Sequence, residues 1–157
     1  MDIKYDENKS LTENTIKLLT EISDCELLLI DNDTLIILAD SLFKLFKYNF
    51  ESSNYSEMNK ISHYCKVVVE NCINRKLYSD KYCAETIIDI ACFVFDQMCM
   101  YDEKVMCLKS IIFSSDIYKT IKIRALEEIM CIEPEVQALI SNEKDVFYAM
   151  LQQLKRQ

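Results

Sequence analysis

An all-α chain of about seven or eight antiparallel helices, packed as successive hairpins in a short solenoid-like stack or an orthogonal bundle, is what this sequence predicts. Three observations carry that expectation. The 157 residues include no glycine and a single proline, where average usage of roughly 7% would give about eleven glycines. Apolar residues recur at helical spacing through most of the chain. The segments between them are short clusters of Asn, Asp and Ser, which cap helices and close turns. Glycine reaches positive φ cheaply, so its absence removes most of the hairpin turns and bulges on which sheets depend.

Residues 1–9 read as a polar tail, and residues 10–157 as one helical domain. Ser10 and Glu13 form a capping box, ahead of a stripe of Leu11, Thr15, Leu18, Leu19 and Ile22. Asp24 opens a short helical turn over 25–30, and the cluster Asp31, Asn32, Asp33 closes it and caps the next helix. That helix, 34–48, is apolar nearly all round (Leu35, Ile36, Ile37, Leu38, Ala39, Leu42, Phe43, Leu45, Phe46), which predicts a central position covered on several sides. Residues 49–56 read as the clearest loop. A helix over 57–75 comes next, with Met58, Ile61, Cys65, Val68, Val69 and Cys72 on one face.

Ser79 and Asp80 open a long apolar helix to about residue 100, and Asp102 caps a shorter one to 113. Ser114, Ser115 and Asp116 cap a helix over 117–131 with Ile121, Ala125, Leu126 and Ile129 inward. Pro134 suits a first helical turn. The chain closes with helices through 140 and over 142–154, Lys155 and Arg156 complementing the last helix dipole. Helices arrive in pairs, 34–48 with 57–75, 82–100 with 103–113 and 117–131 with 135–154, at intervals close to the roughly 40–47 residues of helical repeats.

The net charge is −8. Residues 1–60 carry twelve acids against six bases, and the remainder fourteen against twelve. An acidic surface repels phosphate backbones, so the expected partner is a protein, one with a basic surface suiting it well, and nucleic acid is disfavoured. No apolar run reaches the roughly 20 residues of a membrane span, because Asp89 and Asp96 interrupt 87–100 and Asp31, Asp33 and Asp40 interrupt 27–46. Membrane insertion is therefore not expected. Eight cysteines could form a disulfide framework in a secreted chain. Here residues 1–10 are polar and charged, and the cysteines sit within apolar helical patterns. Reduced, buried thiols in the cytoplasm or nucleus are the expectation, and secretion is not.

Without glycine there is no Walker A loop, no G-x-G-x-x-G, no G-x-S-x-G elbow and no standard EF-hand loop. His63 is the sole histidine, and Cys65, two residues on, diverges from it on a helix. Cys65/Cys72 and Cys92/Cys99 are spaced i, i+7, about 10 Å by helix rise, too far to share a metal. Carboxylate pairs such as Glu85/Asp89 and Glu127/Glu128 read as solvated helix faces. No catalytic residue, cofactor or metal is expected. Two contact regions are: the acidic face at Glu85 and Asp89, and the aromatic loop from Phe50 to Tyr55.

The stretch S-S-D-I-Y-K-T-I-K-I-R-A-L-E-E-I, 114–129, resembles the consensus of the HEAT and armadillo-like helical repeats, an Asp-bearing turn followed by a hydrophobic-Arg-x-Ala-Leu helix. The resemblance implies that Asp116 caps the helix, Arg124 braces a neighbouring helix pair and Ala125 lets helices approach closely. It covers one helix, and the other pairs lack the Asp…Arg-x-Ala signature. By that likeness the chain is a non-enzymatic protein-binding scaffold or adaptor in a larger intracellular assembly. The acidic all-helical composition, the length and the apolar helix 34–48 are also similar to the Bcl-2-like regulators of apoptosis and innate signalling in large DNA viruses. The Trp and Gly of that family's Asn-Trp-Gly-Arg signature are absent here.

Overall fold

Asp31 sets the start of the first described helix. Its carboxylate accepts from the Thr34 N–H at 2.7 Å, occupying one of the N–H groups a helix leaves open at its start. That bond, with the Arg75 charge behind it, holds the Asp31 carboxyl below its usual range. The structure, a computed structural model, describes residues 29–131 and 133–157. The tail, the Ser10–Glu13 capping box, the stripe beyond it, the Asp24 turn and Cys25 lie outside the described residues. The described chain contains seven α-helices and no strand: α1 (Asn32–Glu51), α2 (Tyr55–Asn74), α3 (Lys81–Asp89), α4 (Tyr101–Ile112), α5 (Lys119–Ile129), α6 (Pro134–Leu139) and α7 (Lys144–Arg156). A 3-10 turn, Leu77–Ser79, precedes α3, and a π-helical segment, Ile90–Phe95, continues it. The fold is all-α. Its residues group into two compact units, one ending at Arg75 and the other running over 76–157, where the sequence suggests a single domain from residue 10.

In the first unit α1 packs along α2. Leu35, Leu38, Leu42, Leu45 and Phe46 of α1 and Met58, Ile61, Cys65, Val68, Val69 and Cys72 of α2 are buried. The Arg75 guanidinium ties the end of α2 to the start of α1, donating to the Ile30 carbonyl at 2.6 Å and to Asn32 Oδ1 at 3.3 Å. Helix 34–48 is expected to be covered on several sides; Ile37 is 57% and Tyr48 62% exposed, so α1 keeps an outer face. The 49–56 loop also shrinks, to Ser52–Asn54, because α1 runs on to Glu51 and Asn54 caps α2 by accepting from the Glu57 N–H.

In the second unit α3 and its π segment pack on α4, α4 on α5 and α6, and α5 on α7. Ile87, Ile88, Ile90, Phe95, Leu108, Ile111 and Ile112 are fully buried there, with Leu126, Ile129 and Phe147. Asp80 caps α3 as its position suggests, accepting from the Cys83 N–H at 2.9 Å. Pro134 stands in the first turn of α6 and Lys155 and Arg156 in the last of α7. Two capping expectations are corrected. Met100, not Asp102, is the residue before α4, leaving Asp102 inside the first turn, where its charge still favours the helix dipole. Asp116 lies three residues ahead of α5, whose N-cap is Tyr118 and has no side-chain cap. The Asp116 N–H instead bonds Ser114 Oγ at 3.4 Å.

Three residues do what glycine usually does. Ser53, Lys76 and Cys99 have φ of 55°, 57° and 55°. After α1, the Asn54 N–H bonds the Asn49 carbonyl and the Ser53 N–H the Phe50 carbonyl. After the π segment, Met100 bonds Phe95 and Cys99 bonds Asp96 in the same way. Both are Schellman closures with an L-residue at the left-handed position. A Cβ there costs roughly 1–2 kcal/mol, against the smaller entropic cost of a glycine in the unfolded chain. Ser53→Gly and Cys99→Gly are each expected to raise the unfolding free energy by about 0.5–1 kcal/mol, read as a higher denaturant midpoint at unchanged slope.

Candidate functional site

The aromatic region at the α1–α2 turn stands on helix ends. Phe50 is in the last turn of α1 and Tyr55 in the first of α2, so the two flank a three-residue turn. Tyr55 is 71% exposed, and Tyr48 and Phe50 are exposed beside it. The turn is held by the Schellman bonds, by Ser52 Oγ donating to the Tyr48 carbonyl at 3.0 Å and by the Asn54 cap. Bulky amphipathic rings on a braced backbone lose little freedom when they are buried against a partner.

The acidic face at Glu85 and Asp89 is altered by the fold. Asp89 Oδ1 accepts from Arg124 Nη2, an ion pair joining α3 to α5. Asp89 is therefore engaged within the chain and half-buried, where the sequence suggests a solvated helix face. Glu85, one turn earlier, is partly exposed. The same bond gives Arg124 its place. Burial disfavours the guanidinium charge, but Asp89 more than offsets it, and the group is held above its ordinary range. Ala125, next to it, is fully buried. Asp116, exposed, lines a cavity of about 280 Å³ with Lys76, Tyr78, Phe113 and three serines.

Asp96 is engaged within the chain too. Its Oδ1 accepts from Lys104 Nζ at 2.9 Å, and Glu133 Oε1 lies 3.8 Å from the same ammonium. The Lys104 side chain is only 3% exposed. Desolvation works against its charge, yet the bond to Asp96 leaves its pKa raised. Burial, then contact with Asp96, raises the Glu133 carboxyl in spite of Lys104. This cluster flanks the π segment, whose wide turn inserts a residue and shifts the later side chains round the helix axis. Sequence reasoning missed Lys104, although a signal existed: it lies on the apolar stripe of α4 with Val105, Leu108, Ile111 and Ile112.

The thiols divide by position. Cys65, Cys72, Cys83 and Cys107 are buried, as expected, while Cys92 and Cys131 are half-buried and Cys99 is exposed. The apolar pattern puts Cys99 in the core beside Cys92; it sits instead at the left-handed residue that closes the helix. Burial raises the Cys65 thiol far above its ordinary value. The Cys92 thiol rises too, through burial and the neighbouring Glu128. A nucleophilic cysteine needs the opposite displacement. The Tyr101 hydroxyl donates to Cys99 Sγ at 3.7 Å, which with partial desolvation lifts the phenol to about 12. His63 is exposed on α2. Among the described residues no group of three His, Cys, Asp or Glu side chains could hold a metal, and no helix is long and apolar enough to cross a membrane. Neither a family model, a curated protein nor a solved structure matches the chain.

Proposed function

We propose that this chain is a non-enzymatic protein-binding scaffold or adaptor, a component or regulator of a larger intracellular assembly, and that Tyr48, Phe50 and Tyr55 anchor its partner. The observation that carries this reading is the exposure of Tyr48 and Tyr55 on either side of a turn fixed by its own hydrogen bonds. Exposed aromatics in one locality suit the anchoring of an interface, because they bury large area on few rotatable bonds. The net charge of −8 favours a partner with a basic face and disfavours nucleic acid. The Arg124–Asp89 pair between α5 and α3, with Ala125 packed beside it, supports a HEAT/armadillo-like stacking of the second unit.

Affinity capture from the native cell tests the reading, using wild type beside the double variant Tyr48→Ala/Tyr55→Ala. Anchor truncations cost about 1–2 kcal/mol each, so the specific partner should bind the variant at least tenfold more weakly. Far-UV circular dichroism should show equal helicity in the two. Equal recovery of every specific partner by both proteins would refute the assignment of these residues.

A further inference from the structure

We infer that Glu133 is a proton-operated latch, holding α6 against α4 in its acid form and loosening that contact as a carboxylate. Glu133 stands immediately before α6, whose Val136 is fully buried, as is Ile140 just after it. Its Oε2 is buried and meets no hydrogen-bond donor among the described residues. Its Oε1 is 3.8 Å from Lys104 Nζ, beyond hydrogen-bond reach, while that ammonium bonds Asp96 at 2.9 Å. Two carboxyls thus compete for one buried cation. The ionised form of Glu133 leaves a buried oxygen without a partner, which is costly. The acid form can instead place its proton between Glu133 and the Asp96 carboxylate, which lies in hydrogen-bond range.

The other titratable groups around Glu133 do not relieve it. Glu135 on α6 adds a further negative charge. Tyr101, at the start of α4, feels Glu133 as an added negative charge. Cys92 on the π segment and Cys131 between α5 and α6 act on Lys104. Lys104 is therefore the cation of the cluster, and Asp96 holds it. A carboxyl that keeps its proton more tightly in the folded chain contributes stability at low pH. That contribution is lost as pH rises from its ordinary value of 4.5 through the folded one. The latch accordingly tightens as pH falls and loosens as pH rises.

Amide hydrogen exchange on the full chain reads this directly at Gln137 and Ile140, whose N–H groups bond the Glu133 and Val136 carbonyls. Protection factors, corrected for intrinsic exchange, should fall several-fold between pH 4 and pH 8 in the wild type, while Leu42 in α1 keeps its own. In Glu133→Gln, which cannot ionise, protection should match at both pH values and equal the wild-type value at pH 4 or exceed it. Asp96→Asn should lessen the pH dependence, because it removes the negative charge that favours the acid form and frees Lys104 for Glu133. Wild-type protection independent of pH overturns the inference, as does the same fall persisting in Glu133→Gln.

Discussion

Lys104→Ala is expected to lower the unfolding free energy by about 3–5 kcal/mol, among the largest effects of any single substitution in the chain. The loss comes less from the bond removed than from what stays behind. Asp96 and Glu133 are left partly buried with no cation between them, and the alkyl stem of Lys104 leaves a void beside Val105 and Leu108. Lys104→Met separates the two contributions. It refills the void but not the charge, and should recover only the packing share. Combining Lys104→Met with Asp96→Asn removes the Asp96 charge too, leaving only that of Glu133, and should restore part of the remaining stability, since a buried ion pair replaced by neutral groups is often nearly neutral in effect. Chemical denaturation of the three variants checks this order. A Lys104→Ala cost below about 1 kcal/mol would place the lysine in water.

Phe46→Ala should cost about 3–5 kcal/mol. Phe46 is fully buried on α1, in a unit where two helices supply the described core. Exposed Tyr48, two residues on, gives the contrast: Tyr48→Ala should change stability by less than about 0.5 kcal/mol, although it belongs to the proposed contact surface. Thermal or denaturant unfolding of the two variants side by side separates a residue that holds the fold from one that faces a partner. Equal costs would show Tyr48 to be packed.

The helices are legible in the sequence because their apolar spacing and their caps agree. Asp31 and Asp80 cap where their positions suggest, and Pro134 opens a helix. Asp102 and Asp116 have the same residue type, yet neither caps, because the chain enters α4 through Met100 and α5 through Tyr118. Residue type signals a helix start only to within a few positions. The 49–56 loop is overestimated for a related reason. Asn and Ser there look like loop residues, but three of them suffice once Ser53 adopts the left-handed conformation normally left to glycine. Charge pairing is the least legible layer. Asp89 with Arg124 is separated by 35 positions and Glu133 with Lys104 by 29, and no local pattern foretells such partners. The exposed aromatics at the turn are visible as residues; that they flank a braced turn requires the fold.

Photo-crosslinking most directly tests whether this chain works through its aromatic surface. A benzoylphenylalanine placed at Tyr55 and, as a control, at exposed Lys144 on α7 would be irradiated in the native cell. One discrete protein adduct at Tyr55, competed by unlabelled wild type and absent at Lys144, is the expected result. Adducts equal at both positions, or none at Tyr55 while the chain retains its cellular activity, would contradict the proposed role of the α1–α2 turn.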